Sequence, residues 1–213
     1  MQATARRLSV VSATSTPRRR LIRSVRPTND ATRDLMKLHF VDINPEVSSA
    51  LAVAFHGHPE VEVICGDILH HAVHCLVSPA NSFGYMDGGI DAAYTAFFGQ
   101  QIQARVQDAI HRRAEQMLPV GAALAVTTGH DRIPFMIVAP TMTMPEDIPA
   151  SHAGRALRAA LRLIQSEPHL AGDVYCPGLG TLVGRVSPPD AAASMLAAYE
   201  QWLGSLSSSS THS

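Results

Sequence analysis

Short apolar segments alternate with helical segments along most of this chain, and that alternation limits its fold more than any other feature. Segments with the length and apolar character of strands lie at 38–43, 61–65, 75–78, 122–128, 134–139 and 174–176. Segments with helical periodicity lie at 47–55, 90–98, 101–113, 153–164 and 188–203. Apolar strands interleaved with helices predict an α/β fold, with a mainly parallel sheet covered by helices on both faces.

The charge of the chain is distributed unevenly. Residues 1–35 carry eight arginines and two acidic residues, whereas the remainder carries nine basic and sixteen acidic residues. An acidic body is poorly suited to bind a nucleic-acid backbone, which requires clustered Lys and Arg. An anionic ligand would therefore have to be held by backbone N–H groups and helix N-termini. No apolar run approaches the roughly 18–20 residues that cross a bilayer, so we expect no membrane partner.

The pattern predicts one domain over residues 36–206 between two tails. Residues 1–35 show no sustained hydrophobic period and are expected to be a disordered basic extension. Their composition also fits an organelle transit peptide, a basic arm for a partner, or an upstream stretch preceding a true start at Met36. Residues 207–213 are Ser-rich and expected to be disordered. We expect a cytoplasmic monomer whose cysteines, Cys65, Cys75 and Cys176, are buried free thiols.

Polar or glycine-bearing stretches follow three of the predicted strands directly. They are Gly66-Asp67-Ile68, residues 81–91 and residues 178–184. Open α/β sheets bind ligands beyond the carboxyl ends of their strands, so these stretches are candidates for one shared site.

The loop before the second predicted helix contains Gly88 and Gly89, and Asp91 follows in its first turn. Glycines at this position allow the backbone to approach a ligand, and the helix start offers unpaired N–H groups to a phosphate. Taken alone, the loop is equally consistent with a flexible turn in which Asp91 complements the helix dipole.

The loop at 178–184 matches neither the dinucleotide fingerprint nor a Walker A motif, because its third glycine is one residue late and no Lys follows. By itself this loop is equally consistent with a plain connection between two elements. Two such loops at one edge of the sheet, however, can clamp a diphosphate between them. Asp67 can accept a hydrogen bond from an exocyclic amine such as that of adenine, or it can cap a helix.

Four motifs together resemble the macrodomain family in their order and spacing. They are Gly66-Asp67-Ile68, Ser78-Pro79-Ala80-Asn81, Gly88-Gly89-Ile90-Asp91 and the loop at 178–184, and the resemblance covers residues 36–206. It implies a three-layer α/β/α macrodomain fold with a mixed, mostly parallel six-stranded sheet. It also implies that the ligand is ADP-ribose or an ADP-ribosylated substrate, with no cofactor.

The resemblance further implies a role for individual residues. Asp67 would bind the adenine amine beside Ile68, Asn81 would contact the distal ribose, and Asp91 would position or activate a water in the hydrolytic branch. Asn81 and Asp91 are thus the implied catalytic residues. The implied ligand-binding residues are Asp67, Ile68, Ala80, Asn81, Gly88, Gly89, Ile90, Gly178, Leu179, Gly180, Thr181, Leu182, Val183 and Gly184.

The chain departs from the family pattern at several positions. Ser78 stands where the family usually has Asn, and Met86-Asp87 replaces glycines. A carboxylate at Asp87 can repel a phosphate or narrow the distal pocket. Leu182 and Val183 stand where a glycine and an aromatic residue often occur.

The resemblance implies hydrolysis of an ADP-ribose adduct: a mono-ADP-ribosylated protein, O-acetyl-ADP-ribose or ADP-ribose-1″-phosphate. The alternatives are a non-catalytic ADP-ribose-binding module and a scaffold whose pocket Asp87 has closed. A lysine-dependent branch is excluded because Lys37, in the first strand, is the only lysine. No metal site is expected, because no cysteine or acid stands at ligand spacing from the histidine groups His56, His58, His70, His71 and His74.

Overall fold

A computed structural model describes residues 36–209. The strands are β1 Lys37–Asp42, β2 Val61–Cys65, β3 Cys75–Ser78, β4 Leu124–Thr127, β5 Phe135–Val138 and β6 Asp173–Cys176. The α-helices are α1 Pro45–Ala54, α2 Ile68–His71, α3 Gly89–Phe98, α4 Gln101–His111, α5 Ser151–Ser166 and α6 Pro188–Ser209. Short 3₁₀ turns follow α1 at Phe55–Gly57 and α5 at Pro168–Leu170.

The six strands form one sheet in the order β2-β1-β6-β3-β5-β4. All neighbouring pairs are parallel except β4 and β5, which pair antiparallel. The predicted mixed, mostly parallel six-stranded sheet is therefore confirmed. The antiparallel strand lies at one edge, where a short connection between β4 and β5 is possible.

Helices cover both faces of the sheet, which confirms the three-layer α/β/α arrangement. On one face, α1, α5 and α6 pack in a cluster that includes Leu51, Leu157 and Trp202. On the other face, α2, α3 and α4 pack in a cluster that includes Ile68, Tyr94 and Val106. Because the strands are buried on both faces, they appear in the sequence as continuous apolar runs.

Local sequence signals account for where the helices begin and end. The side chain of Asn44 accepts a hydrogen bond from the N–H of Glu46, and Pro45 occupies the first position of α1. Gly99 has φ +89°, a left-handed conformation that separates α3 from α4. These boundaries agree with the helices predicted from the sequence.

The structure differs from the sequence-based expectations at three places. The short helix α2 was not predicted, because four residues are too few to show a helical period. Helix α6 continues to Ser209, past the end at residue 203 that the sequence predicted for this helix. Cys65 is exposed, whereas Cys75 and Cys176 are buried as expected.

The predicted basic extension at 1–35 and the last residues of the chain, 210–213, lie outside the described residues, so the domain limits remain predictions. Within residues 36–209, none of the helices combines the length and the apolar character that crossing a bilayer requires.

Candidate functional site

The loops that follow β1, β2, β3, β5 and β6 surround one cavity of about 560 Å³ at the carboxyl edge of the sheet. Strands β1, β6 and β3 are neighbours in the sheet, so their carboxyl ends are adjacent although the strands are far apart in sequence. This is the edge at which open α/β sheets bind ligands.

Nearly all the residues predicted from the sequence line this cavity. They are Asp67, Ile68, Ala80, Asn81, Gly88, Gly89, Ile90, Asp91, Gly178, Gly180, Thr181, Leu182, Val183 and Gly184. Leu179 is the exception: its side chain is fully buried in the core cluster beneath α5 and α6. The side chain of Leu179 therefore does not line the cavity, and its assignment as a ligand-binding residue stays a prediction.

The two glycine-bearing loops meet across the cavity. A Cβ built on Gly89 would lie 3.5 Å from both Leu182 Cδ2 and Val183 Cγ2. Asn81 and Gly180 line the same cavity, so the loops after β3 and β6 share one pocket, as the sequence predicted. Leu182 is 71% exposed, which leaves this side of the cavity open to solvent.

The carboxyl group of Asp91 lies in the cavity wall and has a raised pKa. It lies in the first turn of α3 and is only 7% exposed. The hydroxyl of Ser78 donates to Asp91 Oδ1 at 2.6 Å, and the backbone N–H of Ala80 also bonds to this carboxylate. Burial raises the pKa of Asp91 to about 7, and the two hydrogen bonds oppose that rise. Such a carboxyl group can exchange a proton near neutral pH.

The N-terminus of α3 is open to a ligand. Gly88 is its N-cap and has no side chain to cap the helix. Gly89 has φ +56°, a conformation that favours glycine. Because both glycines line the cavity, unpaired N–H groups and the positive end of the helix dipole face the space where an anion would bind.

Asn81 stabilises its own loop. Its Nδ2 donates to the carbonyl oxygen of Tyr85 at 3.1 Å, and its Oδ1 accepts from the N–H groups of Phe83 at 3.0 Å and Tyr85 at 3.3 Å. One hydrogen on Nδ2 is left to contact a ligand. The structure therefore gives Asn81 a loop-positioning role that the sequence did not indicate, beside the implied contact to the distal ribose.

Asp42 was not predicted to belong to the site, yet it holds the loop at 178–184 in place. Its Oδ2 accepts from the N–H of Gly178 at 2.9 Å, and its Oδ1 accepts from the N–H of Asn44 at 2.9 Å. A Cβ on Gly178 would lie only 2.2 Å from Val47 Cγ1, so this position requires glycine. An acid at the last position of a strand was the only sequence signal for this role.

The side chain of Asp67 caps a helix, which was the alternative to its predicted role in binding an exocyclic amine. Its Oδ1 accepts from the N–H of Leu69 at 2.9 Å at the start of α2, while Asp67 also lines the cavity. One carboxylate has several acceptor positions, so capping leaves Oδ2 able to accept from an exocyclic amine. The two interpretations of Asp67 are compatible.

Arg132, in the loop between β4 and β5, holds the other end of α2. Its guanidinium donates to the carbonyl oxygens of Leu69 at 2.8 Å, Ala72 at 2.8 Å and His70 at 3.3 Å. It also lies 5.9 Å from the ring centroid of Phe97 in α3. One side chain thus connects two helices that border the site, a role that sequence patterns do not reveal.

We expect Arg132→Ala to lower the free energy of unfolding by about 1–3 kcal/mol, because the carbonyl groups of α2 lose a charged donor. Urea denaturation followed by the fluorescence of Trp202, the only tryptophan, measures this change. Arg158→Ala is the matched control, because Arg158 makes an exposed bond to Gln201 and should cost under about 0.5 kcal/mol. Equal losses in the two variants would contradict this role for Arg132.

A third loop, which follows β5, also borders the cavity and was not predicted. Thr141, Met142 and Pro145 contribute to the lining. The N–H of Thr141 donates to the carbonyl oxygen of Pro79 at 2.9 Å, so this loop is tied to the one after β3. Its sequence has no glycine-rich or acidic pattern that would have indicated a site.

The charged side chains that line the cavity, among the described residues, are all carboxylates: Asp42, Asp67, Asp87 and Asp91. Asp87 is exposed and the cavity remains open beside it, so Asp87 does not close the pocket. No group of three or more His, Cys, Asp or Glu side chains within residues 36–209 is arranged to hold a metal ion. An anion in this cavity must be stabilised by backbone N–H groups.

Known proteins share both the sequence and the fold. The family model described as Macro domain matches residues 77–195. An uncharacterized protein of Aquifex aeolicus (strain VF5) is 34% identical over 139 residues, which cover 64% of this chain and 79% of the relative.

Among solved structures, the macrodomain of Mycobacterium tuberculosis DarG is 22% identical with a TM-score of 0.55, covering 64% of this chain and 87% of its own. The Oceanobacillus iheyensis macrodomain with ADP is 20% identical with a TM-score of 0.55, covering 66% of this chain and 74% of its own. At these identities the structures establish the fold alone. The family model, which matches more than half of the chain, shows that this chain belongs to the macrodomain family.

Proposed function

We propose that this protein hydrolyses an ADP-ribose adduct. The observation that carries the proposal is the buried carboxyl group of Asp91, held by Ser78 in the wall of a cavity beside the open N-terminus of α3. A carboxyl group that exchanges protons near pH 7, next to a site for an anion, is suited to general acid–base catalysis on a phosphorylated or nucleotide-like substrate.

The cavity has a place for each part of ADP-ribose. The adenine amine would donate to Asp67 beside Ile68, and the diphosphate would lie between the N-terminus of α3 and the loop from Gly178 to Gly184. The distal ribose would then lie towards Asn81 and Asp91. Related structures support this choice of ligand, since the Oceanobacillus iheyensis macrodomain is described with ADP and one of its mutants with ADPR.

In the proposed reaction, Asp91 acts first as a base and then as an acid. Its carboxylate takes a proton from water while the water oxygen forms a bond to the anomeric carbon of the distal ribose. The bond from that carbon to the leaving group breaks, and the leaving group receives the proton from Asp91. Backbone N–H groups of both loops balance the diphosphate charge and hold the sugar in position.

Wild-type protein is expected to release free ADP-ribose from an adduct. Mono-ADP-ribosylated protein and O-acetyl-ADP-ribose are incubated separately with the enzyme, and ADP-ribose is quantified by chromatography against an enzyme-free control. Calorimetry with ADP-ribose measures binding on the same preparation. Binding without release from either adduct would contradict hydrolysis and favour the non-catalytic binding module, while absence of binding would contradict the ligand itself.

A further inference from the structure

The charges around the cavity are the starting point for a prediction about substrate choice. Three of its four carboxylates accept hydrogen bonds within the fold: Asp42 from the N–H of Gly178, Asp67 from the N–H of Leu69, and Asp91 from the hydroxyl of Ser78. The fourth, Asp87, is exposed and directly precedes Gly88 and Gly89 at the start of α3, with Asp91 two residues beyond them. Asp87 therefore adds an exposed negative charge next to the N-terminus of α3, beside the end of the cavity assigned to the distal ribose.

The only positive pole assigned to this end is the N-terminus of α3. A helix of ten residues presents about half a unit charge at its N-terminus, and the effect declines within the first turn. The cavity lining, as described, contributes no Lys, Arg or His side chain to supplement it. The helix end and the loop at 178–184 are both assigned to the diphosphate, so neither is assigned to a further anion.

An additional phosphate on the distal ribose would carry close to two negative charges at neutral pH. It would lie near the exposed carboxylate of Asp87, which stands directly before Gly88. An ester or a nitrogen-linked group at the same carbon carries no negative charge and meets no such repulsion. Between two unit charges about 8 Å apart near a protein surface, Coulomb repulsion corresponds to roughly a tenfold loss of affinity or more, reduced by salt.

From this arrangement we infer that the site selects ADP-ribose adducts whose substituent on the distal ribose is uncharged or cationic, and that Asp87 discriminates against ADP-ribose-1″-phosphate. This inference rests on the proposed function, since it assumes that the distal ribose lies at this end. It makes Asp87 a specificity-determining residue: it is exposed in the wall and acts through its charge, without a role in the hydrolytic step.

The test is calorimetry of wild type, Asp87→Asn and Asp131→Asn with ADP-ribose and with ADP-ribose-1″-phosphate, at low and high salt. Asp131 is an exposed residue that does not line the cavity, so its variant changes the net charge equally. Wild type should bind the 1″-phosphate about thirtyfold more weakly than ADP-ribose, with a smaller difference at high salt. Asp87→Asn should recover about fivefold to tenfold for the 1″-phosphate and change ADP-ribose affinity less than about threefold.

Each other outcome overturns a specific statement. If wild type binds both ligands within about threefold, the inference is wrong and the proposed function is unaffected. If Asp131→Asn recovers as much affinity as Asp87→Asn, the effect arises from net charge and Asp87 is not the determinant. If wild type does not bind ADP-ribose, the proposed function and the inference are both wrong.

Discussion

Replacing Asp91 by asparagine is expected to reduce release of ADP-ribose at least about a hundredfold, because the amide cannot take a proton from water. Asparagine keeps an oxygen that can accept from the hydroxyl of Ser78, so the wall of the cavity should retain its shape. ADP-ribose affinity should therefore change less than about threefold. Single-turnover release from a mono-ADP-ribosylated protein, together with calorimetry, measures both quantities.

The pH dependence provides a second measurement on the same variant. Burial raises the pKa of Asp91 from 3.8 to about 7, so its basic form accumulates only as pH rises through about 7. Wild-type kcat should rise over this range and then level off, whereas the residual rate of Asp91→Asn should not follow this profile. A wild-type rate that is flat between pH 5.5 and 8.5 would contradict general-base catalysis by Asp91.

Stability separates loss of catalysis from loss of fold. The pKa of Asp91 is higher in the folded state than in the unfolded state, so its contribution to stability is complete below about pH 4 and is lost as pH rises through about 7. Asp91→Asn removes a buried carboxyl group that is ionised at pH 8, so its melting temperature there should equal or exceed that of wild type. A lower melting temperature would show that the variant damages the fold.

Asp67→Asn is the matched control for the role of Asp91, because it makes the same substitution at the opposite end of the cavity. The variant should weaken binding of ADP-ribose and leave kcat at saturation nearly unchanged, since Asp67 is assigned to the adenine end. If both variants reduced kcat equally, catalysis would not be specific to Asp91.

Gly184→Ala is the second change with a large expected effect, and it acts on binding. A Cβ at this position would lie 2.8 Å from the carbonyl oxygen of Gly180 and 2.7 Å from Ile148 Cγ1. The contact with Gly180 is to backbone in the same loop, so the loop must open to relieve it. Its N–H groups would then no longer converge on the diphosphate, and ADP-ribose affinity should fall about a hundredfold, or about 2.7 kcal/mol.

Gly204→Ala is the control for Gly184→Ala. A Cβ at Gly204, in α6, meets nothing within 4 Å, so this variant should bind ADP-ribose like wild type. Far-UV circular dichroism and thermal melts would verify that both variants are folded. If Gly184→Ala binds ADP-ribose within about threefold of wild type, the role assigned to the loop at 178–184 is contradicted.

Local sequence was sufficient to predict most of the elements. The strands were identified as apolar runs, and the longer helices because their periods of burial repeat over enough residues to be distinguished. Boundary signals such as Asn44-Pro45 and Gly99 mark where helices begin and end. Helix α2 was missed because it is too short to show a period, and the end of α6 was missed because its Ser-rich last turn shows no apolar pattern.

The candidate site was predicted in outline for a different reason. Parallel strands bring their carboxyl ends to one edge, so polar and glycine-bearing stretches after separate strands had to lie near each other. The resemblance to macrodomains then assigned roles to Asp67, Asn81 and Asp91. The loop containing Thr141 was missed because nothing in its composition distinguishes it from an ordinary connection.

The sequence by itself determined the order of strands and helices, the acidic charge of the body and the glycines that allow a backbone cradle. The tertiary structure decided which side chains act on one another: Ser78 on Asp91, Asp42 on Gly178 and Arg132 on α2. The physical reason is that these bonds join residues brought together by the strand order β2-β1-β6-β3-β5-β4 and by packing on the sheet. That order depends on how the helices bury both faces of the sheet, and no local period in the chain encodes it.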